Sequence, residues 1–180
     1  MQTKNPSVIA LSTASAASVT GLAFISPIIL LIKNHYNVSS NEVQLTITIY
    51  LVAICISQIF WGPLSDLIGR RIVLIIGASL FSLGGILASL NLAFEVFVLL
   101  RFLQGVGAAA CLSMPRVMLT ESYGVKKAAA KMSTLLAFMA IFPILSAAFG
   151  GYIGENYGWQ INFFTLFIFG AFVFSLNYVY

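Results

Sequence analysis

The sequence predicts an all-α membrane protein with six transmembrane helices. Of its 180 residues, 60% are hydrophobic and only 8% are charged, and the mean hydropathy is +1.01. This composition is typical of proteins that cross the bilayer several times. The apolar runs are also continuous and long enough for an α-helix, which needs about 20 residues to cross a core of roughly 30 Å. Barrel strands would instead alternate over about ten residues, so helices are favoured.

Six apolar runs can be marked in the sequence, and we expect each to form one helix. In order they are Val8–Ile32, Val43–Trp61, Ile72–Leu92, Val96–Leu119, Met132–Ile153 and Trp159–Tyr180. The first is too long for the core of a signal peptide, so we expect it to be retained, with Ser26 and Pro27 as polar or kinking positions. Short links between the runs predict one compact helical bundle, a single domain over residues 1–180.

The cations are divided unequally between the predicted links. Seven of them lie before helix 1 and around the 2–3 and 4–5 links: Lys4, Arg70, Arg71, Arg116, Lys126, Lys127 and Lys131. The opposite side has Lys33 alone. The positive-inside rule therefore places the N-terminus and the 2–3 link in the cytoplasm, and the even helix number returns the C-terminus there. The net charge of +4 thus reflects topology, and no nucleic-acid partner is expected.

The link after helix 2 is densely patterned, reading W-G-P-L-S-D-L-I-G-R-R over residues 61–71. Pro63 is expected to end or redirect helix 2. Asp66 is expected to accept a hydrogen bond at the positive N-terminal end of helix 3. Arg70 and Arg71 are expected to pair with acids or lipid phosphates at the membrane surface. Taken residue by residue, this is a capped turn on the positive side.

As a string, P-L-S-D-x-x-G-R-R resembles the loop between the second and third helices of major facilitator superfamily transporters. Leu67 stands where that pattern has a basic residue. The resemblance implies a gating loop that locks the two halves of a transporter together on the cytoplasmic side. It implies that Asp66 relays charge and that Gly62 and Gly69 are packing positions. Arg116, at the cytoplasmic end of helix 4, is the expected partner of Asp66.

The fourth run begins its second turn with R-F-L-Q-G-V-G-A-A-A from Arg101. Arg101, Gln104, Gly105 and Ala108 share one helical face by their three- and four-residue spacing. A charge at the bilayer centre costs about 2.5–3.5 kcal/mol on insertion scales. A polar, small stripe suits a cavity lining or close helix contact, and the alternative is an arginine that reaches to the external interface. The segment resembles the superfamily's fourth-helix motif, Arg-x-x-Gln-Gly, which implies a role for Arg101 in proton coupling.

Arg101 and Gln104 are the candidate cavity residues, together with Gln58 on helix 2. The two cysteines, Cys55 and Cys111, lie inside predicted helices without metal-ligand spacing and are expected to be buried apolar side chains. No metal or other cofactor is expected.

The fifth run contains F-P-I-L-S-A-A-F-G-G over residues 142–151. Pro143 removes a backbone hydrogen bond and is expected to bend the helix, while Gly150 and Gly151 permit tight packing. The segment resembles the superfamily's fifth-helix antiporter motif, Gly-Pro-x-x-Gly-Gly, of which only the glycine pair is retained. Its proline four residues before the usual position resembles the bicyclomycin/chloramphenicol drug-efflux subgroup. The strings Q-I-F-W-G-P-L-S-D from Gln58 and G-W-Q-I-N-F-F from Gly158 add to that resemblance.

A weaker pattern repeats the spacing Gly-x-x-x-acid-x-x-Gly in two places. It occurs at Gly62, Asp66 and Gly69, and again at Gly151, Glu155 and Gly158. An odd number of helices separates the two turns, which is the arrangement of an inverted three-plus-three repeat. A chance match of three positions is the alternative.

The resemblance implies the N-terminal six-helix half of a secondary transporter in a bacterial inner membrane. It implies proton-coupled efflux of drugs or other small hydrophobic molecules, with protons, a small-molecule substrate, the lipid bilayer and a C-terminal six-helix half as partners. Because the chain reaches Tyr180 as helix 6 completes its crossing, the alternative is a truncated or partner-dependent fragment without transport of its own. An enzyme is poorly supported, because His35 is the one histidine, lies in a predicted loop, and no His-Glu-x-x-His site exists.

Overall fold

The computed structural model describes residues 7–179, apart from the side chain of Val125. The predicted positions of Lys4 and Tyr180 lie outside this range. Six helical segments are long and apolar enough to cross a membrane, which confirms the predicted fold class, and the described residues contain no strand. We name them spans 1 to 6: Val8–Tyr36, Ser40–Ile68, Arg70–Ala88, Phe94–Gly124, Lys126–Tyr157 and Trp159–Val179.

Span 1 is broken near its middle, although its sequence reads as one continuous apolar run. An α-helix covers Val8–Ala23, a 3-10 turn covers Ser26–Ile28, and a second α-helix covers Ile29–Tyr36. Pro27 lies in the 3-10 turn, where its fixed φ and missing N–H disfavour a regular α-helical ladder. At the break, the N–H of Ile25 donates to the carbonyl of Leu22 at 3.3 Å, three residues back instead of four.

A glycine with positive φ stands at three of the connections between spans. Gly69, Gly124 and Gly158 have φ values of 98°, 69° and 91°, a region that residues with a Cβ rarely adopt. The third helix of the chain runs from Ser40 to Ile68, and the helix from Phe94 to Tyr157 is interrupted at Gly124 alone. A reversal of chain direction therefore needs one residue here.

The predicted links over residues 62–71 and 120–131 are therefore wrong in length. Pro63 lies inside the span 2 helix and does not end it. The physical reason is that hydropathy falls where a helix leaves the hydrocarbon core, while the helix itself continues into the headgroup region. Polar and charged residues in the headgroup region occur both in helix ends and in links, so hydropathy does not separate the two.

The two turns of the repeated glycine pattern have the same geometry. Gly69 closes span 2 with a hydrogen bond from its N–H to the carbonyl of Ser65 at 3.0 Å, and Gly158 closes span 5 on Gly154 at 3.1 Å. Their ψ values are 141° and 153°. Gly124, which lies outside the repeated pattern, has a positive φ of 69° with ψ at 157°, so this geometry is common to all three glycine turns.

Small residues bring span 4 close to its neighbours. A Cβ added at Gly105 would lie 2.6 Å from the backbone oxygen of Tyr50 in span 2. A Cβ added at Gly77 in span 3 would lie 3.0 Å from the carbonyl oxygen of Gly107. Such contacts are typical of membrane helices, which pack through small residues because lipid provides no hydrophobic driving force between them. Spans 2 and 5 are the least covered, with 28% and 11% of their most apolar stretches buried.

Two single-residue placements differ from the prediction. Cys111 is buried as expected, but Cys55 is exposed on span 2. His35 lies in the last turn of the Ile29–Tyr36 helix and not in a loop, and its exposed ring hydrogen-bonds the Asn91 side chain at 2.5 Å. The prediction for Cys55 was wrong because the apolar residues around it do not show which face of the helix packs against the bundle.

Candidate functional site

Arg101 is completely buried at the centre of the helix bundle. Its Nη2 donates to the carbonyl oxygen of Gly21 in span 1 at 3.1 Å, and its Nη1 donates to Oε1 of Gln104 at 2.5 Å. Its Nε donates to the carbonyl oxygen of Thr46 in span 2 at 3.4 Å. The alternative of an arginine that reaches to the external interface is therefore excluded, because the guanidinium is directed into the protein.

The break in span 1 supplies one of these acceptors. Because the N–H of Ile25 bonds to Leu22, the carbonyl of Gly21 lacks the i+4 donor that a regular helix would give it. A buried carbonyl without a donor is costly, and Arg101 provides that donor from span 4. The position of the buried charge and the irregular backbone of span 1 are thus coupled.

Tyr50 forms the third side of the arginine site. Its ring lies 4.3 Å from the guanidinium carbon of Arg101, and its hydroxyl donates to the carbonyl oxygen of Ser18 at 2.6 Å. A cation over an aromatic face is attracted by the ring quadrupole, more strongly where water is excluded. Phe163 of span 6 contributes a second, more distant ring at 5.7 Å. Arg101 thereby contacts spans 1, 2 and 6 from span 4.

Arg101 has no acidic partner within ion-pairing distance among residues 7–179. Carbonyl oxygens, one amide and two rings solvate its charge. The Nε2 atom of Gln104 is also buried without a hydrogen-bond partner. A buried cation beside an unused donor favours an anionic or acceptor group, because both gain a partner when such a group arrives.

The predicted stripe on span 4 is buried at all four positions, Arg101, Gln104, Gly105 and Ala108. The sequence was compatible with a cavity lining or with close helix contact, and in the structure the stripe makes close helix contact. Gly105 is the closest point, since a Cβ there would also lie 2.7 Å from the Cβ of Ala53.

Gln58 does not join Arg101 and Gln104. It lies on the exposed side of span 2 with Gln44, Thr48 and Cys55, at helical spacings of four, seven and three residues. These positions form one stripe on an otherwise apolar helix surface, which we call the span 2 polar stripe. The sequence already contained this stripe in its periodicity, and only the structure shows that it points away from the bundle.

A second cluster joins the ends of spans 2, 3 and 4 at the predicted gating loop. Arg70 forms ion pairs with Asp66, one turn before it, and with Glu121, where Nε lies 3.2 Å from Oε1. It also donates to the side chain of Ser65 and to the carbonyl oxygen of Gly62, the latter at 3.4 Å. Glu121 was missed as a site residue because it lies in a stretch that hydropathy assigns to a link.

Two expectations for this cluster are not met. Asp66 does not cap span 3, whose N-cap is Gly69 without a side-chain hydrogen bond. Its ion-pair partner is Arg70 and not Arg116, which instead contacts the sulfur of Met139 in span 5 at 3.5 Å. The reason is that span 2 continues to Ile68, which puts Asp66 in its last turn, one helical turn from Arg70.

Arg71 ties span 3 to the end of span 6. Its Nε and Nη2 donate to the carbonyl oxygens of Asn177 and Tyr178 at 3.0 and 2.6 Å. Arg71 therefore has two backbone partners in span 6.

The fifth-span motif packs against the break in span 1. A Cβ on Gly150 would lie 3.1 Å from the ring of Phe24, and one on Gly151 would lie 3.5 Å from Pro27. The carbonyl oxygen of Gly150 accepts a hydrogen bond from Asn162 at 2.9 Å. Pro143 lies within the helical stretch and does not interrupt it.

Comparison with known proteins now decides the family. Residues 11–180 match the Major Facilitator Superfamily. The chain belongs to this superfamily. Over 141 residues it is 31% identical to the multidrug resistance protein MdtL of Escherichia coli O81 (strain ED1a), and over 145 residues it is 28% identical to MdtL of Shewanella sp. (strain ANA-3). It is therefore a multi-pass membrane protein from a superfamily of carriers, with relatives named for multidrug resistance.

The fold agrees with this membership. The chain superposes on the crystal structure of a D-xylose-proton symporter with a TM-score of 0.85 at 16% sequence identity, covering 96% of this chain and 47% of that one. The matched regions cover 78% and 81% of this chain but only 36% and 37% of the two MdtL proteins. The chain thus spans about a third to a half of the proteins that it matches.

Replacing Arg101 with Lys tests the superfamily arginine as a structural element. Lysine keeps the charge but cannot form the fixed fork that reaches Gly21, Gln104 and Thr46 together. Loss of one charged hydrogen bond in the core predicts a decrease of about 1.5–3 kcal/mol in the free energy of unfolding. Arg116→Lys is the matched control, because Arg116 is exposed and its loss should change stability by no more than about 0.5 kcal/mol. Reversible unfolding in detergent measures both, and equal stabilities would contradict the site.

Proposed function

We propose that the chain is the N-terminal six-helix half of a secondary transporter that exports drugs or other small hydrophobic molecules in exchange for protons. The observation that carries this proposal is the buried, acid-free environment of Arg101. Superfamily membership and the multidrug resistance names of the MdtL relatives support the substrate class. The bacterial inner membrane is the proposed location, since these relatives are bacterial.

Arg101 supplies the electrostatic part of the coupling. Its unpaired charge in a medium of low dielectric constant stabilises an ionised acid nearby and disfavours a second cation. Binding of a proton or a cationic substrate at this depth therefore depends on whether an ionised acid lies beside the arginine and balances its charge. A buried arginine stays protonated, so it acts as the fixed charge and not as the proton carrier.

We propose that the proton-carrying acid comes from outside this half. The five acids of the chain are Glu42, Asp66, Glu95, Glu121 and Glu155, and each lies within a few residues of a span end. None of them lies at the depth of Arg101. A carboxyl group on the second half, or on the substrate itself, would complete the coupling site.

The span 2 polar stripe supports a second half as a partner. A polar stripe facing lipid tails is unfavourable, because amide and hydroxyl groups lose hydrogen bonds there. Span 5 has exposed small residues at Ala137, Ala140 and Ala148, a pattern suited to close helix packing. We infer that spans 2 and 5 face the C-terminal half and the water-filled path between the two halves.

The same exposed surface favours a second candidate, in which this half has no transport activity without its partner. The mass of the native gene product and transport by this chain alone, compared with the two halves together, distinguish the two. Either candidate makes the chain a carrier component and not an enzyme. The exposed ring of His35, hydrogen-bonded to Asn91, supports no catalytic role for that histidine.

The Arg70 cluster is proposed to be the cytoplasmic gate. Arg70, Asp66 and Glu121 tie three spans together through ion pairs, and Arg71 adds the end of span 6. A cluster that closes against the second half in one conformation must release it in the other. The partial exposure of these charges keeps each pair weak, which suits a contact that is made and broken in every cycle.

Replacing Arg101 with Leu tests the coupling proposal in the native gene product. We expect insertion and abundance to be retained and proton-driven efflux to fall by at least about a hundredfold, the effect of losing about 2.7 kcal/mol of coupling energy. Drug efflux from inverted membrane vesicles under an imposed pH gradient measures this. Lys33→Gln is the control, because Lys33 lies outside the contacts of Arg101 and donates its hydrogen bond to Ser40. Efflux that survives Arg101→Leu at the control rate would overturn the proposal.

Replacing Asp66 with Asn tests the gate separately. The neutral amide loses its ion pair with Arg70 while the pair with Glu121 remains, so the helices should stay folded. We expect a slower transport cycle and greater modification of a cysteine placed on the cytoplasmic side of the path, because the outward-facing conformation is less firmly closed. Unchanged transport and unchanged cysteine reactivity would show that Asp66 has no gating role.

A further inference from the structure

A cavity of about 350 Å³ lies among spans 1, 5 and 6, apart from Arg101. This volume falls in the range of about 300–1,000 Å³ that is typical of small-molecule sites. Four aromatic rings dominate its wall, those of Phe24, Phe142, Phe149 and Phe169. The residues that line it include no charged side chain.

The cavity lies near the middle of the membrane. Its lining comes from residues 20–24 of a span that covers 8–36, from residues 142–153 of a span that covers 126–157, and from residues 165–169 of a span that covers 159–179. The sets in spans 1 and 6 are close to the midpoints of their helices, and the set in span 5 runs from the midpoint towards the C-terminal end of that helix. Whatever fills the cavity must therefore be soluble in the hydrocarbon core.

Three hydroxyl groups lie in the wall, and the contacts of Ser146 and Thr165 are internal. Ser146 donates to the Thr20 hydroxyl at 3.4 Å, and Thr165 donates to the carbonyl oxygen of Ile161 at 2.9 Å. Ser146 and Thr20 are 5% and 3% exposed. Such a wall offers little to water, which needs several polar partners to occupy a cavity.

The cavity is not an ordinary gap left by three packed helices. Spans 3 and 4, by contrast, pack closely through small residues, since a Cβ at Gly77 would meet the carbonyl of Gly107 at 3.0 Å. In the corner of spans 1, 5 and 6, Phe142 and Phe169 instead stack with ring centroids 5.6 Å apart and hold spans 5 and 6 at a distance. Large rings at these positions maintain the space.

We propose that this cavity is a binding site for an uncharged, lipid-soluble molecule that enters from the bilayer between spans 5 and 6. The half-exposed side chains of Leu145 and Phe149, at 48% and 59%, mark its open side. The ligand chemistry is that of a flat or branched hydrocarbon group, which packs against phenylalanine faces. Two sources supply that chemistry, a phospholipid acyl chain and a free hydrophobic compound. The proposal does not depend on the transport function.

Photolabelling of the chain in phosphatidylcholine vesicles tests the site with two probes. One is an uncharged aryl diazirine added to the vesicles, and the other is phosphatidylcholine with a diazirine midway along an acyl chain. We expect peptides that cover residues 142–153 and 165–169 to be labelled above the other lipid-exposed segments. Labelling by the aryl probe alone assigns the site to free compounds, and labelling by the lipid alone assigns it to an acyl chain.

Two variants fill the cavity from its open side, Thr165→Trp and Leu145→Trp. Each should lower labelling of the two segments by at least about tenfold, a change that corresponds to loss of about 1.4 kcal/mol of binding. The matched control is Ile168→Trp, because Ile168 lies on the same helix, is 53% exposed and does not line the cavity. Circular dichroism and size-exclusion chromatography check that each variant is folded, and two filling variants guard against the failure of one. Labelling that is equal in the original chain, the filled variants and the control would overturn the proposal.

Discussion

The buried contact between Arg101 and the carbonyl of Gly21 is the constraint on which the arrangement of the bundle depends. A guanidinium in the core requires acceptors, and a continuous helix in span 1 would have none to spare, because its carbonyls would bond to its own N–H groups. The break in span 1 before Pro27 frees the carbonyl of Gly21, one of the two backbone carbonyls that Arg101 uses. An irregular backbone at membrane depth is tolerated only where protein groups satisfy it. Each feature therefore makes the other possible.

Close helix packing follows from the same contact. Arg101 reaches Thr46 and Tyr50 only because Gly105, one turn along, lets span 4 lie against span 2. The hydroxyl of Tyr50 then returns to span 1 through Ser18. Spans 1, 2 and 4 are thus joined by a closed set of polar contacts around one charge. Spans 2 and 5 retain exposed faces beside this set.

The architecture was predictable from the sequence to a greater degree than the site. Six apolar runs of sufficient length identify six helices, and the strings around Asp66 and Arg101 identify the superfamily. The helix ends were not predictable in this way. Polar residues near Pro63 and Lys126 read as links, because hydropathy reports depth in the membrane and not hydrogen bonding. The single-glycine turns at Gly69 and Gly124 are visible only as positive φ values.

The direction of a side chain within the bundle was also beyond the sequence. Gln58 and Gln104 both read as polar positions in apolar helices, yet one is exposed and the other is fully buried. Which residues pair is likewise a tertiary property: Arg70 replaced Arg116 as the partner of Asp66 because span 2 runs about two turns further than expected. The cavity among spans 1, 5 and 6 combines residues from three separate segments, so no local sequence pattern predicts it.

Hydrogen exchange at the arginine side chains, measured by NMR on the chain with ¹⁵N-labelled arginine in lipid nanodiscs, tests the central contact most directly. The contact predicts one guanidinium whose Nη–H and Nε–H signals exchange far more slowly than those of Arg70, Arg71 and Arg116, and whose signals are absent from Arg101→Leu. Rapid exchange of all arginine signals would contradict it, because it would place the guanidinium of Arg101 in water and leave the carbonyl of Gly21 without its donor.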